Sequence, residues 1–269
     1  MSRIAVHYLG QKVGTLAEAR GGIFFEYDAA FTSSGHELSP LRLPLGRGVL
    51  ARETSATMRL PGLFEDSLPD AWGERLMLEW FRKRGTPPHD VTPLMMLSYV
   101  GHRGMGALAY EPELDATSVP GSVSLEALHE AALEMERAGP IDLEVLAEVG
   151  SSVGGKHPKA LIGLPLGRSG DILSGAGLLP ASHEAWLVKL DTTHEGTAGV
   201  LEEAYARMAR AAGVDMAPSQ LLETRHGVEA RSRIRCHVHW SAPASGAWNV
   251  DRRRTDARGQ AAPFAARRI

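Results

Sequence analysis

A glycine-rich stretch at residues 150–159 is the part of the chain whose residue types could bind phosphate. Gly150, Gly155 and Lys156 have the spacing of a Walker A motif, in which backbone amides and a lysine hold nucleotide phosphates. The Ser or Thr that would hold Mg²⁺ is replaced by His157, and the sequence predicts a short strand after the motif, where a Walker A motif opens a helix. A P-loop nucleotide hydrolase is therefore the weaker of two phosphate-binding interpretations.

A kinase-type glycine loop is the stronger interpretation, because glycine lets backbone amides approach the phosphates closely. Such a loop needs a lysine on a following strand, and Lys189 ends the apolar run at residues 186–189. The lysine in turn needs a carboxylate from the next helix, which Glu202 or Glu203 could supply. The order of loop, lysine and glutamate fits a kinase. Each feature taken singly also has an ordinary explanation. The glycine stretch could be a surface loop, the lysine could extend to solvent, and the glutamates could be a solvated charge run.

The first fifty residues have the pattern of a small antiparallel sheet. Residues 4–9 and 13–16 are two short strand-like runs around a glycine turn, which predicts a hairpin. Residues 23–27 predict a third strand of aromatic and β-branched type. Residues 41–45 predict a weaker fourth strand, which its proline restricts to a sheet edge.

The elements that follow alternate between helices and strands. Residues 67–70 are a helix-start signature, and Trp72, Leu76 and Trp80 share one face of the helix predicted at residues 71–84. Such an apolar face indicates core packing rather than a ligand platform. The remaining predictions are helices at 91–100, 125–138, 141–149 and 199–212, a strand after the bend at 101–108, strands at 160–166 and 185–190, and a linker at 115–123.

The composition limits the compartment and the class of partner. The 269 residues are 43% hydrophobic, as in a globular core, and their one cysteine, Cys236, suits a reducing compartment. No run approaches the ~20 apolar residues of a membrane helix, so we expect a cytoplasmic protein. From Arg225 onward ten Arg oppose three acidic residues, a net charge of +7, which leaves −10 on residues 1–224. That acidic front portion argues against a general nucleic-acid binder.

Motifs in both halves, taken in their order and spacing, make the chain resemble the HipA family of toxin–antitoxin serine/threonine kinases from residue 4 to about residue 227. In the N-terminal part the matching stretches are YLGQKVGTL at residues 8–16, FEY at 25–27, LFEDSLPD at 63–70 and GMGAL at 104–108. In the second part they are SVGGKHPKA at residues 152–160, WLVK at 186–189 and EEAYARMARAAG at 202–213.

The resemblance implies a set of site residues. Lys189 would hold the α and β phosphates of ATP with Glu202 as its helix partner, and Ser152 would be the autophosphorylation candidate. A phosphate on Ser152 would add nearly two negative charges to the loop and repel the nucleotide. The loop residues that would contact the ATP phosphates are Gly154, Gly155, Lys156, His157, Pro158 and Lys159.

The resemblance also implies an organisation and partners. The expected fold is α+β. Residues 1–114 would form a HipA-like N-terminal subdomain with a small antiparallel sheet and helices, followed by a linker at 115–123. Residues 124–227 would form a kinase-like N-lobe, and residues 228–269 an irregular or disordered Arg/Ala-rich tail. ATP and Mg²⁺ would be the cofactors, and an aminoacyl-tRNA synthetase the phosphorylated protein. A helix-turn-helix antitoxin like HipB would be the partner, with DNA reached only through it and no membrane contact.

The catalytic residues of a family kinase are not found in this sequence. A kinase catalytic loop has an aspartate followed about five residues later by an asparagine that binds Mg²⁺. Asn249 is the only asparagine in the chain. We therefore expect no catalytic residue and no Mg²⁺ ligand here, and a truncated kinase that is inactive alone.

The C-terminal stretch has an unusual composition. No leucine occurs from Glu223 onward, which suggests a tail read out of frame and largely disordered. A metal site at Cys236, His237 and His239 lacks a second ligand pair, and the arginines at 252–254 are interpreted as a solvated run. The alternative function is a non-catalytic binding module that resembles the HipA N-terminal subdomain and restrains a partner kinase.

Overall fold

Two antiparallel sheets and the helices around them make up the described part of the chain. A computed structural model describes residues 3–19, 22–45, 49–51, 60–104, 106–114, 121–137, 157–167, 170–175, 179–193, 197–224 and 227–233. The helix predicted at 141–149 and most of the predicted tail lie outside these residues. The architecture is α+β, as predicted. No helix in the described ranges combines the length and the apolar composition that crossing a bilayer requires.

The first sheet has the strand order β4-β3-β2-β1-β5. Its strands are β1 (Arg3–Tyr8), β2 (Gln11–Ala19), β3 (Gly22–Tyr27), β4 (Val49–Ala51) and β5 (Leu108–Glu111). The predicted hairpin is confirmed, because β1 and β2 pair antiparallel around a turn in which Leu9 and Gly10 have φ of 50° and 79°. The third strand and the strand after the bend at 101–108 are also confirmed.

The strand predicted at residues 41–45 is wrong. This segment is a turn, in which the Ser39 carbonyl accepts hydrogen bonds from the amides of both Arg42 and Leu43, at 3.2 and 2.7 Å. The buried Leu43 side chain anchors the turn in the core, and the Tyr27 hydroxyl donates to the Leu43 carbonyl at 2.6 Å. The sheet edge is instead taken by β4, which pairs with β3.

Helices cover the first sheet and close its core. They are α1 (Ala29–Thr32), α2 (Gly62–Glu65), α3 (Ala71–Lys83), a 3-10 turn (Pro88–Asp90) and α4 (Pro93–Val100). Asp70 caps α3 by accepting the Trp72 and Gly73 amides. Aromatic rings fill much of this core, including Phe25, which contacts both Tyr27 and Phe64 with ring centroids 4.9 Å apart.

The second sheet has the strand order β7-β6-β8-β10-β9. Its strands are β6 (Lys159–Pro165), β7 (Leu173–Ser174), β8 (His183–Lys189), β9 (Ser219–Thr224) and β10 (Gly227–Arg233), and its helices are α5 (Leu125–Glu136) and α6 (Ala198–Ala211). β6, β8, α5 and α6 fall where the sequence predicts them. β9 and β10 were not predicted, and the expected start of the tail at residue 228 falls inside β10, which pairs with β8.

Helix α3 belongs to the cores of both sheets. Trp80 and Phe81 pack in the core of the first sheet, whereas Trp72 and Leu76 pack with α5, β6 and β8 in the core of the second. The predicted core role of Trp72, Leu76 and Trp80 is confirmed, because the three are 7% exposed or less. One helix therefore joins the two halves, and the Arg75 guanidinium strengthens this junction by donating to the Met135 carbonyl of α5 at 2.8 Å.

Candidate nucleotide site

The β6–β8 ladder places two lysines opposite each other. Lys159 begins β6 and Lys189 ends β8, and they are direct partners in the antiparallel register. Directly opposed residues of an antiparallel pair project from the same face of the sheet. Both lysines were predicted to meet nucleotide phosphates, and the register brings their backbones together.

Only the C-terminal end of the predicted phosphate loop is described. His157 is exposed, and Pro158 is buried with its carbonyl accepting the Leu190 amide at 3.0 Å. Strand β6 follows at once. A Walker A motif opens a helix at this point, so the chain does not fit the P-loop alternative. Ser152, Gly154, Gly155 and Lys156 lie outside the described residues.

Lys189 and Glu202 form a bidentate ion pair. The Lys189 ammonium donates to both carboxylate oxygens of Glu202, at 2.7 and 2.8 Å. Their neighbours Trp186 and Val188 are buried and fix β8 against the core. The two paired side chains are 44% and 47% exposed, so a phosphate can approach the ammonium from solvent. An ion pair this exposed contributes at most about 1 kcal/mol to stability, so its value lies in orienting the lysine.

Glu203, the other glutamate considered as a partner for Lys189, has a different environment. Its side chain is 5% exposed, and its Oε1 accepts from Arg207 at 2.7 Å and from Arg210 at 3.2 Å. Burial raises the pKa of Glu203, but the nearby Ser219 hydroxyl, the hydrogen bond from Arg207 and the charges of both arginines outweigh burial and lower it. Arg210 also donates to the Ser219 hydroxyl at 2.7 Å, which ties α6 to β9.

Asp191 positions the start of α6 and was missed in the sequence. Its Oδ2 accepts the Ala198 amide at 2.7 Å, and its Oδ1 accepts the Thr193 amide at 3.0 Å. Burial raises the pKa of Asp191, but hydrogen bonds from Thr193, Ala198 and Gly199 outweigh burial and lower it. The residue just before α6, Thr197, makes no side-chain capping bond, so Asp191 supplies the cap from seven residues away.

Lys159 is buried, in contrast to Lys189. Its side chain is 4% exposed, and its ammonium donates to Asp70 Oδ2 at 3.2 Å. The two residues are 89 positions apart in the chain, so no local pattern could have indicated their contact. In the sequence Asp70 had only the signal of a helix start.

The paired Lys189 ammonium could meet a phosphate group. Lys189 offers a partly exposed cation held in place by Glu202. Within the described ranges, no group of three or more His, Cys, Asp or Glu residues could hold a metal ion. The Cys236, His237 and His239 set lies outside those ranges.

The chain is similar to known proteins in its N-terminal part and in its fold. Residues 4–111 match the family model of the HipA N-terminal domain. No curated protein matches the chain. Among solved structures, the chain is similar to one chain of the complex of Shewanella oneidensis MR-1 HipA, HipB and operator DNA, with a TM-score of 0.51 and 15% identity. The match covers 86% of the present chain and 50% of the solved one, so the present chain spans about half its length. At this identity the likeness shows a shared fold.

Proposed function

We propose that the chain is a HipA-family protein, because residues 4–111 match the HipA N-terminal domain, and that its second half is the nucleotide-holding lobe of a HipA-type serine/threonine protein kinase. The observation that carries this proposal is the Lys189–Glu202 pair. A strand lysine oriented by a helix carboxylate is the arrangement with which protein kinases hold the α and β phosphates of ATP.

The 269 residues by themselves bind nucleotide without transferring its phosphate. Phosphoryl transfer needs a positioned base and metal ligands, and the aspartate–asparagine loop that supplies them in kinases is absent from the sequence. For a HipA-type kinase the family resemblance implies an aminoacyl-tRNA synthetase as substrate, and Mg²⁺ as the ion that would neutralise charge on the phosphates. For this chain that substrate and that ion are inferences from resemblance alone.

Calorimetric titration of the chain with MgATP tests the nucleotide proposal. Wild-type protein should bind weakly. Lys189→Met should lose at least about tenfold in affinity, because an interaction with a charged group contributes about 1.5–3 kcal/mol. Lys12→Met is the matched control, because Lys12 is 49% exposed and pairs with Asp28 in the first sheet's half. Equal affinity of the two variants would overturn the proposal.

The loop residue Ser152 is the proposed regulatory position. A phosphate there would place negative charge where the nucleotide phosphates are expected. Because the chain alone lacks catalytic residues, an intact kinase of the same type would have to add it. Mass spectrometry after incubation with such a kinase and ATP would locate the phosphate, and modification elsewhere with Ser152 unmodified would contradict the assignment.

The proposed partner is a helix-turn-helix antitoxin like HipB, and DNA would be reached only through that antitoxin. The solved relative is described as a complex of HipA with HipB and operator DNA, which supports this choice of partner. Co-purification with the antitoxin, with and without operator DNA, tests it. Binding to operator DNA by the chain alone would contradict the indirect role.

A second candidate function is a non-catalytic module that restrains a partner kinase. An exposed apolar face of α6 favours it, since Leu201, Tyr205 and Met208 recur at helical spacing and are 56%, 68% and 63% exposed. Apolar surface of this kind often marks a protein-binding site. Inhibition of a full-length HipA-type kinase by added chain, without ATP turnover by the chain, would favour the module over the nucleotide lobe.

A further inference from the structure

The contact between Asp70 and Lys159 links the N-terminal part of the chain to the first strand after the predicted phosphate loop. Asp70 lies at the start of α3, and Lys159 is the first residue of β6. Their side chains are 20% and 4% exposed, so the pair is largely shielded from solvent. Such a pair is stable only when its hydrogen-bond geometry is good, because both charges lose most of their hydration on burial.

Both oxygens of the Asp70 carboxylate are in use. Oδ1 accepts the Trp72 and Gly73 amides at 3.1 and 3.3 Å, and Oδ2 accepts from the Lys159 ammonium. The capping bonds fix the carboxylate to α3, and α3 is fixed in turn by its packing in both cores. Asp70 is therefore a rigid anchor for the Lys159 side chain.

Lys159 is poorly placed to bind phosphate while this contact holds. A phosphate would have to reach a nearly inaccessible ammonium and displace a carboxylate that is itself fixed. Breaking a buried ion pair by removing one partner is strongly destabilising. Lys189, at the opposing register position, has no such barrier, because 44% of its side chain is exposed.

We infer that Asp70 is a positioning residue for the nucleotide site, and that Lys159 fixes the end of the phosphate loop to the N-terminal domain instead of contacting phosphate. The inference rests on the proposed nucleotide-holding function and revises the role of one loop residue within it. Strand β6 begins at Lys159, directly opposite Lys189, so Asp70 would help to fix the end of the β6–β8 ladder beside Lys189. A change in the N-terminal domain would reach the nucleotide through α3.

Three variants of the full chain test this inference by MgATP titration and thermal unfolding: Asp70→Asn, Lys159→Met and the double variant. Asparagine is as good a helix cap as aspartate, so Asp70→Asn removes the charge and leaves the cap. Asp28→Asn is the matched control, because Asp28 also caps a helix, α1, but contacts no residue of the second sheet's half in the bonds described. It should bind MgATP as wild type does.

The expected result is non-additive loss. Each single variant should weaken MgATP binding about tenfold, equivalent to about 1.4 kcal/mol, and the double variant should be no weaker than either. Tm should fall by roughly 5–10 °C in each single variant and recover in part in the double, where neither charge of the pair remains. If Lys159→Met abolishes binding while Asp70→Asn leaves it unchanged or tighter, Lys159 is a phosphate ligand and the inference is wrong.

A second measurement separates failure of this inference from failure of the proposed nucleotide-binding function. If wild-type chain binds no MgATP, hydrogen exchange still decides the structural part of the inference. Asp70→Asn should speed amide exchange in β6, and Asp28→Asn should leave it as in wild type. Unchanged exchange in β6 of Asp70→Asn would show that Asp70 does not hold this strand, whatever the chain binds.

Discussion

The two sheets use the same antiparallel pairing, but their surroundings differ in kind. The first sheet is closed by apolar side chains, with Phe25, Phe31 and Phe64 each about 1% exposed or less. In the second half, charged side chains lie at the end of the β6–β8 ladder and on α6, where Lys189, Glu202 and Glu203 form ion pairs. Both halves have a closed apolar core. The second half adds a half-exposed lysine that both oxygens of one carboxylate orient, and the proposed nucleotide binding is placed there for that reason.

The exposed apolar side chains are also distributed unequally between the two halves. Among the described residues, six of the eight large apolar side chains that are exposed lie between Val200 and Met216, on or just after α6. The first half exposes Leu41. Helix α6 carries the glutamate that orients Lys189, and it also has exposed apolar side chains. Exposed apolar surface of this kind often marks a binding site for another protein. α6 is therefore the element on which nucleotide binding and protein binding would meet.

The largest expected effect comes from the helix that the two halves share. Trp72→Ala should lower the free energy of unfolding by about 3–5 kcal/mol, because it removes a buried aromatic side chain from the second core. Since α3 also packs in the first core, both halves should unfold in one transition in a denaturant titration. Leu41→Ala, at a side chain that is 94% exposed, is the control and should have little effect. A first sheet that stays folded after the second has unfolded would show that the halves are independent.

An intermediate effect is expected at Glu203, which contributes to the acid sensitivity of the second half. Its pKa is lowered in the folded chain, so its stabilisation is fully present above the unfolded pKa of about 4.3 and is lost as pH falls through the folded value. Glu203→Gln should cost about 1–3 kcal/mol at pH 7. It should also flatten the decline in unfolding free energy between pH 5 and pH 3. A variant with the wild-type pH profile would mean that Glu203 does not contribute to it.

The smallest effect on stability is expected on the exposed face of α6. Tyr205→Ser should change the free energy of unfolding by no more than about 0.5 kcal/mol, because the side chain is 68% exposed. The same change at the buried Tyr110, whose hydroxyl donates to Ser67 at 2.6 Å, should be strongly destabilising. A large loss from Tyr205→Ser would mean that this face is covered in solution, and light scattering would then show an assembly.

Elements with local signals could be predicted from the sequence. The hairpin around Gly10, the helix after Asp70 and the strand ending at Lys189 each have periodicity, caps or turn residues of their own. The order of strand lysine and helix glutamate likewise predicted an ion pair of Lys189 with Glu202 or Glu203, and the family resemblance favoured Glu202, which is the partner found 13 residues away. β10 was missed because its run, GVEARSR, has few apolar residues and forms a strand by pairing with β8 and β9.

Contacts between distant parts of the chain could not be predicted. Asp70 and Lys159 come together only because α3 packs in two cores at once, and no spacing in the sequence reports that packing. The turn at residues 41–45 was taken for a strand because its leucines suit either structure. Leu43 is buried as a single anchor while Leu41 points to solvent, a pattern that depends on the neighbouring sheet.

Hydrogen exchange of the full chain with and without MgATP tests the division between the two halves most directly. The account predicts slower exchange on MgATP addition in β6, β8 and the first turn of α6, with the strands of the first sheet unchanged. Lys189→Met should abolish that protection and Lys12→Met should preserve it. Protection confined to the first sheet, or equal protection in the Lys189→Met variant, would contradict the assignment of nucleotide binding to the second half.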